Sequence, residues 1–307
     1  MKKCFFFCMI LLSILTFLPA CRSDKVSVCT FNVRGPFDKG ENAWRYRREL
    51  VAEVIWKGNF DFIGTQEVNI GKIGGITMLD DMMDRLPGYE YYGKSREKTE
   101  AGESTPILWR KDRWEMDEKE HGVFWLSKTP EVSSQDWKAA CPRTVVWGKF
   151  HELDRGKRTG RKIYFINTHF DHVSELARIK SAEMIAKFIA GLKDKDVPVI
   201  LTGDFNQYRY SKSLTYLIGS PALIDEHVQI SPAPLRDVYS DSHPGEPDCR
   251  TYHAFHKRQT RNNRIDFIFL RGPMRIVSSQ IIRHDENDPC PSDHYPVSAV
   301  LEFGTAY

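Results

Sequence analysis

The chain lacks any cysteine pair at metal-binding spacing. Cys4 and Cys8 fall in the first twenty residues, Cys21 follows them, and Cys29, Cys141, Cys249 and Cys290 are scattered singly. Without a C-x-x-C pair, zinc-ribbon and thioredoxin-type centres are excluded. The last four cysteines allow three full pairings, and buried thiols or a single bridge are expected. A dominant charge sign is missing too: 44 Lys and Arg against 41 Asp and Glu leave +3. That near balance excludes a general polyanion binder, so any nucleic-acid contact must come from local basic patches. There is no Pro/Ser-rich linker and no internal repeat, which excludes a beads-on-a-string or solenoid organisation. What remains is 307 residues, enough to bury a full core as one large domain.

Long hydrophobic runs are also absent, except at the start. Lys2 and Lys3 precede Phe5-Phe6-Phe7 and an uncharged stretch from Met9 to Leu18. A positive region followed by a short apolar one reads as an export signal rather than a membrane span. It covers residues 1–20 and ends at Leu18-Pro19-Ala20-Cys21, similar to a bacterial lipobox, so a lipid anchor at Cys21 is expected. A plain secretory signal is the alternative, and either exports the protein to the periplasm or cell surface. Loss of Lys2 and Lys3 lowers the net charge from +3 to +1 (3 − 2).

Apolar patterning predicts strands at residues 26–33, 61–65, 89–93, 105–110 and 114–124, and a hairpin of 144–150 with 162–167. Further strands are predicted at 198–202, 265–270, 275–281 and 297–302. Helical spacing marks 45–56, 78–86 and 174–192, the last with Ser174 as a cap. Strands dominate and helices interrupt them, which suggests two sheets packed face to face with helices outside. The irregular stretches 94–104, 127–140 and 240–263 are expected to rim a site.

Short polar tags follow several of the apolar runs. They are Phe31-Asn32, Gln66-Glu67, Asn167-Thr168-His169 and Gly203-Asp204-Phe205-Asn206, then Asp266 inside a run and Ser292-Asp293-His294 ahead of one. Each alone reads as an ordinary strand end or turn; six in order point to one centre at the sheet edges. Glu67 can bind a hard cation such as Mg2+ (or Mn2+), which takes oxygen ligands and few protein carboxylates. Asn32 can add an amide oxygen or orient Glu67. Asp204 and Asn206 sit at i and i+2, on one side of an extended segment. Asp204 can then deprotonate or hold a water, and Asn206 can donate to a phosphoryl oxygen. Asp266 is the candidate carboxylate to fix the His294 tautomer, which leaves Asp293 to face the metal. His169 can bind or protonate a phosphate oxygen.

These residues resemble the endonuclease/exonuclease/phosphatase superfamily, which includes deoxyribonuclease I, abasic-site endonucleases, deadenylases, neutral sphingomyelinases and inositol polyphosphate 5-phosphatases. The matching positions are Asn32, Glu67, His169, Asp204, Asn206, Asp266, Asp293 and His294, and the resemblance spans residues 25–303. It implies a four-layered α/β sandwich and Mg2+-dependent phosphoester hydrolysis. Some members carry an acidic residue two positions after the first Asn; here that position is Arg34. Residues 31–36, 44–48 and 124–130 look most like an exported bacterial branch related to deadenylase-type members.

The mechanism implied is a single in-line displacement at phosphorus. Phosphate or substrate contacts are expected from Arg143 and Arg45, with Arg48 and the basic run Lys257, Arg258, Arg261 and Arg264 as further candidates. Tyr252 and His253, with Phe255, can stack on a base or sugar, or pack their own loop. A phosphodiesterase or nuclease is the first reading. A phosphomonoesterase or a lipid, inositol or sugar phosphate hydrolase is the second. A catalytically dead surface-binding protein is the third, and the intact set of polar residues argues against it. Nothing in the sequence calls for an obligate protein partner.

Overall fold

The computed structural model describes residues 24–72, 75–246, 249–256, 264–284 and 288–304. The stretch expected to be an export signal, Cys21, and Lys257, Arg258 and Arg261 lie outside these.

Two six-stranded mixed sheets face each other. In the first, Lys25–Asn32 lies between Val297–Phe303, antiparallel, and Phe62–Gln66, parallel. In the second, Val199–Asp204 lies between Lys157–His169, parallel, and Asp266–Arg271, antiparallel. Strand side chains alternate between faces. In the first strand, Val26 and Val28 therefore point at the opposite sheet, where Phe62 and Trp109 meet Phe150, Phe165 and Ile200. Cys29 and Phe31 point outward, under the helices Trp44–Gly58 and Met78–Met83. The outer face of the second sheet is covered by Glu175–Gly191, through Ile179, Ala182, Ile185 and Ile189. The result is the four-layered sandwich.

Helix limits follow from local chemistry. Trp44–Gly58 stops where Asn59 turns left-handed, φ 44°, and returns its N–H to Ile55. Ser174 accepts from the Ala177 N–H, the cap predicted from sequence. The hairpin strands run further than predicted, as Thr144–Asp154 and Lys157–His169. The ladder continues through charged residues up to a tight turn at Arg155 (φ 49°) and Gly156 (φ 75°). Lys212–Leu217, Val238–Ser242 and the small hairpin Ala222–Ile224 with His227–Gln229 were not predicted. Each is too short to show a period.

The space between the sheets changes character toward one end. There Thr30, Gln66, Asn167 and Thr202 replace the apolar side chains, all fully buried. Asn167 Oδ1 accepts from Gln66 Nε2 (2.8 Å) and from the Thr202 hydroxyl (3.0 Å). Its amide donates to the carbonyls of Thr65 and Thr105. Gly64 makes this layer possible, since a Cβ there would lie 2.1 Å from Thr202 Oγ1 and 2.5 Å from Asn167 Oδ1. Asn167 therefore welds the two sheets together and is not part of the reacting set. Cys29 and Cys141 are free thiols.

Candidate active site

Beyond the polar layer, the central strands of both sheets end side by side. Asn32 closes Lys25–Asn32 in register with Gln66, and Glu67 follows at once. Asp204 closes Val199–Asp204 in register with His169 on one side and Asp266 on the other. The Ser292-Asp293-His294 loop is held against them: the Ser292 hydroxyl donates to the Asn32 carbonyl at 2.6 Å, and Tyr295 N–H to Thr251. Sequence-distant tags converge because parallel neighbours end at the same edge.

Asn32 is the hub. Its Nδ2 donates to Glu67 Oε1 (2.9 Å) and Asp204 Oδ2 (3.1 Å), while its Oδ1 accepts the Arg34 N–H. Asn32 thus orients the two carboxylates, one of the two roles open to it, while its Oδ1 accepts one backbone N–H. Asp204 Oδ1 accepts the Asn206 N–H at 2.9 Å. Asn206 Nδ2 donates to the Phe170 carbonyl and lies 3.1 Å from His169 Nε2, so that ring nitrogen is the acceptor. Glu67 (φ 61°), Arg34 (φ 56°) and Asn206 (φ 48°) are all left-handed. Such backbone strain collects where geometry is over-determined.

Electrostatics divide the histidines. Burial, then the Arg143 charge, hold His169 well below its ordinary value, so it is neutral. Burial opposes charge on His294 as well. There the Asp266 carboxylate, 3.0 Å from Nδ1, wins, and with Asp293 and Asp204 lifts His294 to about 10. Burial and then the charge of Asp266 push Asp204 up to about 7. His294 Nε2 and Asp204 Oδ2 lie 3.8 Å apart.

A divalent cation fits on one side. Glu67 Oε2 and Asp293 Oδ2 face the same nitrogen, Arg34 Nη1, at 3.8 and 3.7 Å. Two carboxylate oxygens turned toward one cationic point are the hard donor set that Mg2+ takes. Donor atoms of Asp204, Asp266 and His294 also lie within 4.8 Å of one another. That trio is hydrogen-bonded internally, Asp266 Oδ2 lying 3.0 Å from His294 Nδ1.

Glu67, His169, Asp204, Asn206, Asp293 and His294 line a cleft of about 360 Å³. Arg96, Arg143 and His172 line it too. Arg143 is 5% exposed; one terminal nitrogen lies 2.9 Å from His172 Nδ1, while Nε and Nη1 have no hydrogen-bond partner. Tyr252 reaches the cleft as expected, its ring 4.9 Å from that of His294. Three expectations are corrected. Arg45 is exposed, stacks on Tyr46 and lines a separate groove with Trp44 and Asp81. His253 is fully buried and packs on Tyr295, with ring centroids 4.3 Å apart, so it holds the loop down. Arg264 is fully buried in a two-pronged pair with Asp237. Arg48 pairs with Asp81. Sequence reasoning missed Arg96 and Glu103, which come from the irregular 94–104 stretch. It also missed Arg47, whose guanidinium donates to the carbonyls of Asn42, Val33, Arg34, Gly35 and Pro291. Only the apolar surroundings of Arg47 at helical spacing hinted at burial.

Residues 29–294 match the Endonuclease/Exonuclease/phosphatase family, and the chain belongs to it. That family cleaves phosphate esters, as phosphatases and as nucleases. Two solved structures from Bacteroides thetaiotaomicron are similar. One is an endonuclease/exonuclease/phosphatase family protein, 30% identical, TM-score 0.77, covering 91% of this chain and 98% of that one. The other is a mannosyl-6-phosphatase, 30% identical, TM-score 0.75, covering 91% and 100%. Carbon catabolite repressor protein 4 homolog 3 of Arabidopsis thaliana is 23% identical over 258 residues, 81% of this chain. The chain spans about half the length of that relative, 50%.

Proposed function

We propose that the protein is a divalent-cation-dependent phosphomonoesterase acting on the terminal phosphate of a small polar molecule such as a sugar phosphate. The observation that carries this is the buried Arg143, which lines the same cleft as Asp204 and His294 and whose Nε and Nη1 have no hydrogen-bond partner among the described residues. A buried guanidinium with unmet donors is costly unless a ligand supplies acceptors. A monoester dianion offers three terminal oxygens to such a fork, a diester only two. The near-neutral chain argues in the same direction, against long polyanions. Likeness to a mannosyl-6-phosphatase supports this choice.

Glu67 and Asp293 would hold Mg2+ (or Mn2+), which when bound polarises a phosphoryl oxygen as a Lewis acid. The rest falls to the chain. Asp204, poised near 7, takes a proton from the attacking water. His294, kept charged by Asp266, and Arg143 face the growing negative charge on the phosphoryl oxygens. Neutral His169 offers its Nδ1–H, which has no hydrogen-bond partner among the described residues, Glu103 Oε1 standing 3.6 Å away.

The test compares p-nitrophenyl phosphate with its bis ester, with Mg2+ and with chelator, followed by sugar phosphates, single-stranded RNA and DNA, and sphingomyelin. Chelator-sensitive turnover that is faster on monoesters is the expected outcome. Faster turnover on the bis ester or on nucleic acid would replace this reading with the phosphodiesterase. Binding without turnover would leave a surface-binding protein. Display through a lipid at Cys21 belongs to the same proposal. Acyl labelling should be lost in Cys21→Ser.

A further inference from the structure

Arg34 occupies a position that the mechanism above does not use. Its backbone is left-handed, φ 56°, a conformation an arginine adopts only when its surroundings impose it. Three contacts impose it here. Its N–H donates to Asn32 Oδ1 at 3.0 Å, and Arg47 holds its carbonyl at 3.1 Å. Its Nε and Nη2 grip Asp38 in a fork, at 2.8 and 3.1 Å. The remaining nitrogen, Nη1, is left to face Glu67 Oε2 at 3.8 Å and Asp293 Oδ2 at 3.7 Å. Those are the two carboxylates assigned to the divalent ion. A mobile surface arginine would not be pinned at backbone and side chain alike.

We infer that Arg34 is a tethered cation built into the metal site, which limits the site to one divalent ion and weakens its hold on that ion. This rests on the metal-dependent reading above. The charges around Arg34 support it. Glu67 and Asp293 together contribute −2, which one divalent ion neutralises, and the Arg34 guanidinium 3.8 and 3.7 Å from them opposes any further cation. The guanidinium is partly exposed, so its repulsion is reduced but not abolished by solvent. Its removal should therefore tighten cation binding by about tenfold or more.

The experiment is Mn2+ titration of the full chain without substrate, following free Mn2+ by electron paramagnetic resonance. The wild type should bind one ion. Arg34→Gln should bind its first ion at least about tenfold more tightly and take up a second at higher concentration. Arg34→Lys, which keeps the charge, should stay close to wild type, and it guards against a general loosening of the loop. Circular dichroism and melting would verify that both variants fold. Two ions on the wild type, or equal affinity in wild type and Arg34→Gln, would overturn the inference and leave the phosphatase reading standing. No Mn2+ bound by any variant would overturn both, and chelator-insensitive hydrolysis would identify that case separately.

Discussion

The two walls of the cleft are built on opposite rules. On the acidic wall each charged side chain has a partner within the protein. Glu67 accepts from Asn32 and the Gly35 N–H, Asp293 faces Arg34, and Arg34 is gripped by Asp38. On the basic wall Arg143 is more deeply buried than Arg34, Asp38 or Glu67, yet among the described residues two of its nitrogens have no hydrogen-bond partner and its nearest carboxylates, on Glu103 and Asp171, stand off at 3.8 Å. Low dielectric makes both arrangements consequential. A satisfied wall is already in its working geometry, and its parts act by staying put. An unsatisfied wall is completed by what binds to it. The contrast separates residues that run the reaction from residues that choose the substrate.

The largest effect should come from the groups where the walls meet. Asp204→Ala removes the water-side base, and His294→Ala removes the charged ring. Each should lower kcat by about 10²–10⁴-fold on p-nitrophenyl phosphate, with the fold retained by circular dichroism, although His294→Ala also leaves the buried Asp266 carboxylate without its partner and should melt earlier. Near-normal turnover in either variant at saturating Mg2+ would remove that residue from the mechanism.

Arg143→Ala tests the open wall. A charge-assisted contact is worth about 1.5–3 kcal/mol, so KM should rise by roughly 10- to 100-fold while kcat falls less. The loss should be greater for a monoester than for a diester. Because the native protein holds this charge without full partners, Arg143→Met should not lower stability. An unchanged KM would mean that the basic wall only packs the 94–104 loop.

A smaller, graded effect follows from pH. Burial and the charge of Asp266 raise Asp204 to about 7, so below that pH the base is protonated. Activity should rise with pH and level off above about 7, with close to a tenfold change per pH unit on the acid side. Stability runs the other way. The folded chain retains a proton that the unfolded one releases near 4, so this group's contribution falls as pH rises from roughly 4 to about 7. A flat profile between pH 5 and 8, a window on the order of the limb's width, would mean that Asp204 is not the titrating base.

The acidic wall was legible in the sequence and the basic wall was largely not. Glu67, Asp204 and Asp293 each follow or precede a strongly apolar run, and the run fixes where the strand must end. The sheets then bring those ends together. Asn32 was legible as a member of the set. Its role was not, because whether an amide presents oxygen or nitrogen depends on a partner 172 residues away, Asp204. Arg96, Glu103 and Arg143 meet through an irregular loop whose path no periodicity encodes. His253 misled for a related reason: an aromatic tag on a loop reads the same whether it faces a ligand or, as here, packs on Tyr295. The buried pair of Arg264 with Asp237 was hidden inside what looked like a solvated charge run.

The smallest expected effect concerns two arginines that looked alike in the sequence. Both Arg45 and Arg143 stand beside the start of a regular element, and both were candidates for phosphate contact. Arg143 faces the cleft from a buried position. Arg45 projects from the helix Trp44–Gly58, lies over the Tyr46 ring at 4.5 Å and lines a groove separate from the cleft. Its charge is hydrated and screened, and exposed charges more than a Debye length away act weakly. Arg45→Ala should therefore leave kcat/KM for a small phosphomonoester within about twofold, as expected for a surface substitution. The same variant sharpens the comparison with a larger substrate. If the groove beside Arg45 receives the distant end of an extended molecule, KM for that substrate alone will rise. An equal rise for p-nitrophenyl phosphate would mean that the acidic wall extends further along the first helix than the carboxylates around Arg34 indicate.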